Sequence, residues 1–177
     1  QWLANQDWQV DGGFLYADVN NGYDEFELSN DSQKTFSDEP GRDEQNTFGL
    51  SLNSKYLGFY NVDFSMITQY NNTDSTYSYD SDWGAGYIDA FGTPAESGYF
   101  GFLSVERERE VFSEELRLDS KNKEDALGLI DRWTAGVYYH QMDEQSIIDY
   151  RDEFGNANAS SNYETQSYAF YSQFMLS

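Results

Sequence analysis

The sequence predicts an all-β protein: an antiparallel meander of about seven to eight strands, running as one unit from residue 1 to residue 177. Three observations carry this expectation. Bulky residues recur at every second position over most of the chain, the period of a strand with one oily face. Aromatic residues make up 18% of the chain, with 15 Tyr and 13 Phe, and such side chains suit a pleated, half-covered surface. Clusters of Asn, Asp, Gly and Ser punctuate the alternating stretches as turns do.

From Trp8, the residues Val10, Phe14 and Tyr16 are apolar while Asp7, Gln9 and Asp11 are polar, which gives a strand over 8–18 that Gly12 and Gly13 weaken locally. Val19-Asn-Asn-Gly22 is turn chemistry, because Asn and Gly tolerate positive φ. Phe26 and Leu28 then oppose Glu25, Glu27 and Ser29, so 8–18 and 24–30 are expected to pair as a hairpin. Residues 30–44 are acidic and carry Pro40-Gly41, and they read as an exposed loop.

Phe48, Leu50 and Leu52 alternate with Thr47, Gly49, Ser51 and Asn53, and after a short connection at 55–57 Tyr60, Val62, Phe64 and Met66 alternate with Asn61, Asp63 and Ser65. The stretch 71–97, rich in Asn, Asp, Ser, Gly and Tyr, is too long for an idle connection and is the most functional-looking loop. Residues 99–105 read as strand. The run Glu106-Arg-Glu-Arg-Glu110 puts charge on both faces, so it belongs above any hydrocarbon layer.

The clearest alternation lies between Val111 and Gln141. Phe112, Leu116 and Leu118 share one parity and Ser113, Glu115, Arg117 and Asp119 the other, with Glu114 the exception. Trp133, Ala135, Val137 and Tyr139 likewise oppose Arg132, Thr134, Tyr138 and His140. Residues 143–165 are expected to form another loop, with 145–150 extending the hairpin and Gly155-Asn-Ala-Asn-Ala-Ser-Ser161 as its tip. The last strand, 168–176, would turn Tyr168, Phe170, Phe174 and Leu176 outward and Ala169 and Gln173 inward. Connections that alternate roughly short and long match bacterial outer-membrane barrels, with turns on one rim and loops on the other.

Two of these segments carry a family resemblance. Phe112-Ser-Glu-Glu-Leu-Arg-Leu-Asp-Ser120 followed by Arg132-Trp-Thr-Ala-Gly-Val-Tyr-Tyr139 resembles the middle of a TonB-dependent outer-membrane receptor barrel. Ser37-Asp-Glu-Pro-Gly-Arg42 and Tyr77-Ser-Tyr-Asp-Ser-Asp-Trp-Gly84 look like further pieces of proteobacterial members. The resemblance implies an interior portion of a transmembrane β-barrel, incomplete and without a plug domain, since transporters of this kind close with about 22 strands. Met175-Leu-Ser177 departs from the terminal aromatic that it leads one to expect.

The resemblance further implies a location in the outer membrane of a Gram-negative bacterium and active import of a scarce small molecule, an iron-siderophore, vitamin or glycan. TonB would supply the energy through a plug segment missing from this sequence, and outer-membrane lipid would surround the barrel. Such a receptor is not an enzyme and needs no cofactor.

Charge and composition narrow the classes independently. A net charge of −22 repels a phosphate backbone, which argues against nucleic acid, and leaves cations, neutral sugars and metal chelates open. Without Cys there is no disulfide and no thiolate site. No apolar run is long enough for a membrane helix, which says nothing against a barrel. An outer-membrane precursor is expected to carry a leader, which would lie upstream of Gln1 and be removed or fall outside this sequence.

Tyr77, Tyr79, Asp80, Asp82 and Trp83 are the candidate ligand-binding residues, because the rings could stack on a sugar or a planar chelate and the carboxylates accept hydrogen bonds. Asp80-Ser-Asp-Trp-Gly84 invites a calcium reading, but its spacing argues against an EF-hand, since Phe91 stands where that loop needs Glu, and a solvated acidic loop is the competing reading. His140 is the sole histidine, so neither a His-rich metal site nor a catalytic triad with a spare base is expected. Glu114 and Glu115 point to opposite faces, and Arg107, Arg109 and Arg117 are expected to pair with nearby carboxylates. The competing architecture is a secreted acidic β-sandwich that binds carbohydrate or calcium, and a passive porin is a third reading.

Overall fold

Alternation over long stretches commits the backbone to extended ladders, and the computed structural model consists almost wholly of them. It describes residues 2–3, 6–22, 36–39, 41–84, 86–88, 94–121 and 130–176. The elements are β1 (Trp2–Leu3), β2 (Trp8–Asn20), β3 (Arg42–Tyr56), β4 (Val62–Asp80), β5 (Gly86–Ile88), β6 (Pro94–Tyr99), β7 (Gly101–Ser120), β8 (Ile130–Asp152) and β9 (Gly155–Leu176). Seven of them form one antiparallel meander in the order β1-β2-β3-β4-β7-β8-β9, and β5 pairs with β6 in a separate ribbon. The described residues contain no helix.

The strands run longer than the sequence suggests. β4 continues to Asp80 and β7 begins at Gly101, so the first part of the predicted 71–97 loop and the charged run 106–110 are ladder. Ladder hydrogen bonds join backbone groups, and Thr, Ser and Tyr hold an extended chain whether or not one face is oily. The predicted 143–165 loop is likewise strand on both sides of a turn at Glu153-Phe154, and the expected tip 155–161 belongs to β9. Asp152 closes this turn by accepting the Phe154 and Gly155 N–H groups at 2.8 and 3.0 Å, and Gly155 takes a φ of 144° that favours glycine.

Two further boundaries move. β2 pairs along its length with β3, from Trp8 opposite Tyr56 to Asn20 opposite Glu44, while the hairpin partner expected at 24–30 lies outside the described residues. β3 starts at Arg42, inside the predicted 30–44 loop. The short connection sits at 57–61 rather than 55–57, which leaves Tyr60 in the turn.

Among the described residues, substantial contacts between elements run only between ladder neighbours, so the sheet they form is a single layer. Among the described residues no hydrophobic side chain is buried, and the buried ones are Thr47, Ser54, Ser65, Ser78, Asp80 and Ser113. A sandwich would cover its apolar rows with a second sheet. Here Phe14, Tyr168 and Phe170 remain 68%, 71% and 86% exposed. Among the described residues the sheet ends in β9 beyond β8, and beyond β2 stands only β1, opposite Val10 and Gln9.

Candidate functional site: two faces that exchange character

Register places the apolar positions of successive strands side by side. Phe14, Leu50, Tyr70 and Phe112 form one cross-strand row, and Val10, Ser54, Met66, Leu116, Val137 and Phe170 form another. A third row at the lower rim runs from Trp8 through Tyr56 and Phe64 to Leu118. Their rings touch, with centroids 4.9 Å apart for Trp8 and Tyr56 and 5.0 Å for Tyr139 and Tyr168. Within this band Glu114 accepts the Thr68 hydroxyl at 2.6 Å across the β4–β7 ladder, and Glu110, Asp143 and Glu164 continue the row of Tyr16 and Phe48 at its upper edge.

On the reverse side, at the same level, the sheet is polar. Asp63 bridges Lys55 at 3.2 Å and Lys121 at 3.0 Å, and Arg117 pairs with Asp119 at 3.0 Å. Tyr171 lies over Gly136, where a Cβ would run into its ring, and donates its hydroxyl to Glu115. His140 sits here too, stacked on Tyr138 with centroids 6.4 Å apart. Asp63, Ser65, Glu115, Arg117 and Asp119 therefore share one face, and Glu114 lies on the other.

Above the row Asp18, Asn46, Asp74 and Glu108 the two faces change places. The Phe14 face becomes acidic, with Glu44 and Glu106 in the next row up. The reverse, or Arg109 face, becomes aromatic and aliphatic, with Tyr77, Val105 and Ile148 in one row and Tyr79, Leu103 and Tyr150 in the next. The Tyr77 and Tyr79 centroids are 5.7 Å apart at 48°. This patch is an exposed surface on which a ring or an apolar moiety can lie.

Between the polar level and the aromatic patch stand Arg107 and Arg109, on the same face. Arg109 donates Nε to Glu144 Oε2 at 2.6 Å and adds an Nη2 contact at 2.5 Å, while Arg107 Nε reaches Oε1 of the same carboxylate at 3.3 Å. Two guanidinium groups thus share one acid.

Of the five candidate ligand residues, Tyr77 and Tyr79 belong to the patch. Asp80 does not: it ends β4 on the opposite parity, fully buried. Its Oδ2 accepts the Ser37 hydroxyl at 2.7 Å and the Asp38 N–H at 3.2 Å, and its Oδ1 accepts the Asp82 and Trp83 N–H groups, both at 3.1 Å. It ties the segment before β3 to the turn after β4. That turn holds Trp83 at a φ of 56°, a conformation non-glycine residues rarely adopt. Asp82 accepts the Gly84 N–H at 2.7 Å, and burial, with the Asp80 and Asp38 charges adding to it, raises its carboxyl above the ordinary value. Among the described residues no three metal-ligating side chains converge.

Sequence reading missed Leu103, Val105, Ile148 and Tyr150 as companions of the tyrosines. Their alternation was visible within each strand, but the register that aligns them across strands was not. Comparison with protein-family models, curated proteins and solved structures finds no match to the chain.

Proposed function

We propose that this sheet is part of the wall of a TonB-dependent outer-membrane receptor, with the Phe14 face toward lipid below the crossover row and the Arg109 face toward the ligand path. The observation that carries this reading is the apolar band itself. It lies at one level across the long strands, it is covered by nothing among the described residues, and it stops at a row of acids. From Trp8 to Tyr16 it spans about 27 Å along the strand, or about 20 Å across a membrane at the tilt of such strands, against an apolar band of about 25 Å in outer-membrane barrels. Trp8, Tyr56 and Phe64 at its lower edge and Tyr16 and Tyr70 at its upper edge suit the two membrane interfaces.

Charge placement supports the same orientation. Long strands carry the sheet well beyond the band on the acidic side, where the connections are 21–41, 81–100 and the two-residue turn 153–154, while the other rim has the connections 57–61 and 121–129. A single layer with two edges and no buried hydrophobic side chain among its described residues is poorly suited to standing alone in water, so further strands of the same wall are the natural neighbours of β9 and β2. Ligand would meet the Tyr77–Tyr79 patch first and pass down the polar face; import would draw its energy from TonB.

Fractionation of cells that make the protein tests the location: it is expected in outer membranes, released by detergent only, and recovery as a soluble, cooperatively melting monomer would sink the proposal in favour of a sandwich. Uptake of a bound ligand is expected to stop when the inner-membrane proton gradient is collapsed. Uptake that continues would indicate a passive porin instead.

A further inference from the structure

We propose that Arg107 and Arg109, sharing Glu144 on the Arg109 face, form a binding site for a ligand that carries oxyanion groups, carboxylate or phosphate. A chain of net charge −22 is an unpromising place for an anion, but the charge is not spread evenly. Asp18, Glu44, Asp74, Glu106, Glu108 and Glu110 all stand on the Phe14 face. The Arg109 face at that level holds two cations against one acid.

Apart from Glu144, the neighbours of the pair are uncharged, either hydroxyl-bearing or apolar. Thr73 and Glu144 flank Arg109 in its row, and Ser75 and Ser146 flank Arg107 in the next. Val105 and Ile148 lie above, and Val111 and Met142 below. The next acid on this face among the described residues is Asp43, which lies on β3, two ladders from β7. Arg117 makes the contrast, since Glu115 and Asp119 stand on either side of it on its own strand and face.

Depth also favours an incoming anion. The Glu144 side chain is 18% exposed, whereas those of Arg107 and Arg109 are 45% and 43% exposed, so the acid lies beneath and the cations present themselves to solvent. Each guanidinium has five N–H donors in a fork that fits a carboxylate or phosphate, and Glu144 accepts one hydrogen bond, from Arg109 Nε, while Arg109 Nη2 and Arg107 Nε stand within ion-pair distance of it. The aromatic patch directly above would hold the rest of a mixed ligand, such as an aryl group bearing an acid.

The site deepens the receptor reading and takes its ligand-facing side from it. Its test is calorimetric titration of the full-length protein in detergent with citrate and with inorganic phosphate, using maltose as the neutral probe. Citrate or phosphate is expected to bind, and R107Q/R109Q to weaken that binding at least tenfold. Glu144→Gln is expected to tighten it about fivefold, because it removes the built-in competitor and leaves the cations in place. A merely structural ion pair predicts no tightening.

Binding of citrate alone would assign the site to carboxylates, and of phosphate alone to phosphates. Equal affinity in wild type and E144Q overturns the site, whatever the arginine variants do. Membrane insertion with unchanged E144Q affinity sinks the anion site only, whereas a protein in the soluble fraction sinks the wall assignment.

Discussion

Below the crossover row the sheet is held to one solution by what each face excludes; above it, by individual polar contacts. The lower half shows mainly apolar rows on the Phe14 face, broken by Ser54 and the Thr68–Glu114 pair, and compensated charges on the reverse, such as Asp63 between Lys55 and Lys121. In the upper half the same ladders continue with acids on the former apolar face and rings on the former polar one. Strand pairing is therefore indifferent to which face is oily. Polarity decides only what surrounds the strand.

The largest effect expected from breaking this contrast is a charge moved into the band. In the proposed membrane setting Val137→Arg should cost about 2–4 kcal/mol of folding stability in lipid vesicles, and Ile147→Arg, on the same face above the acids, about 0–1 kcal/mol. Equal costs would remove the distinction between the halves.

A smaller effect belongs to the upper half alone. Asp80→Ala strips four donors of their acceptor and should loosen the joint between 37–38 and the turn after β4 by about 1–3 kcal/mol. Limited proteolysis is expected to cut near Trp83 in this variant and not in wild type, while the lower half stays protected.

In the lower half Tyr171→Phe removes the hydroxyl that reaches Glu115 and should cost about 1 kcal/mol, read as a shift in the denaturant midpoint.

The smallest effect is a pH dependence. Asp82 has its carboxyl raised in the folded chain, first by burial, so its ionised form is disfavoured there. Local stability is then greatest below the ordinary value of 3.8 and falls as pH rises through the raised one. Asp82→Asn keeps an acceptor for the Gly84 N–H and should flatten that slope; hydrogen exchange of the 81–84 amides against pH checks it.

Much of the fold was legible residue by residue. The parity of Phe112, Leu116 and Leu118, and of Trp133, Val137 and Tyr139, put each on the expected face, and the odd parity of Glu114 is real. Strand ends were less legible, because stretches such as 71–80 and 143–152 are polar on one face without being loops. The tyrosines at 77 and 79 were visible as candidates, but Asp80 looked equally available until its carboxylate proved to be occupied.

The sequence alone determined that the strands have two unlike faces, because side-chain alternation follows from the geometry of each extended backbone and needs no neighbour. Register was left to the tertiary structure, as it depends on which backbone groups pair across strands far apart in the chain. Only pairing could bring Arg109 opposite Glu144, set Tyr79 beside Leu103 and Tyr150, and draw the level at which one face stops being oily and the other begins.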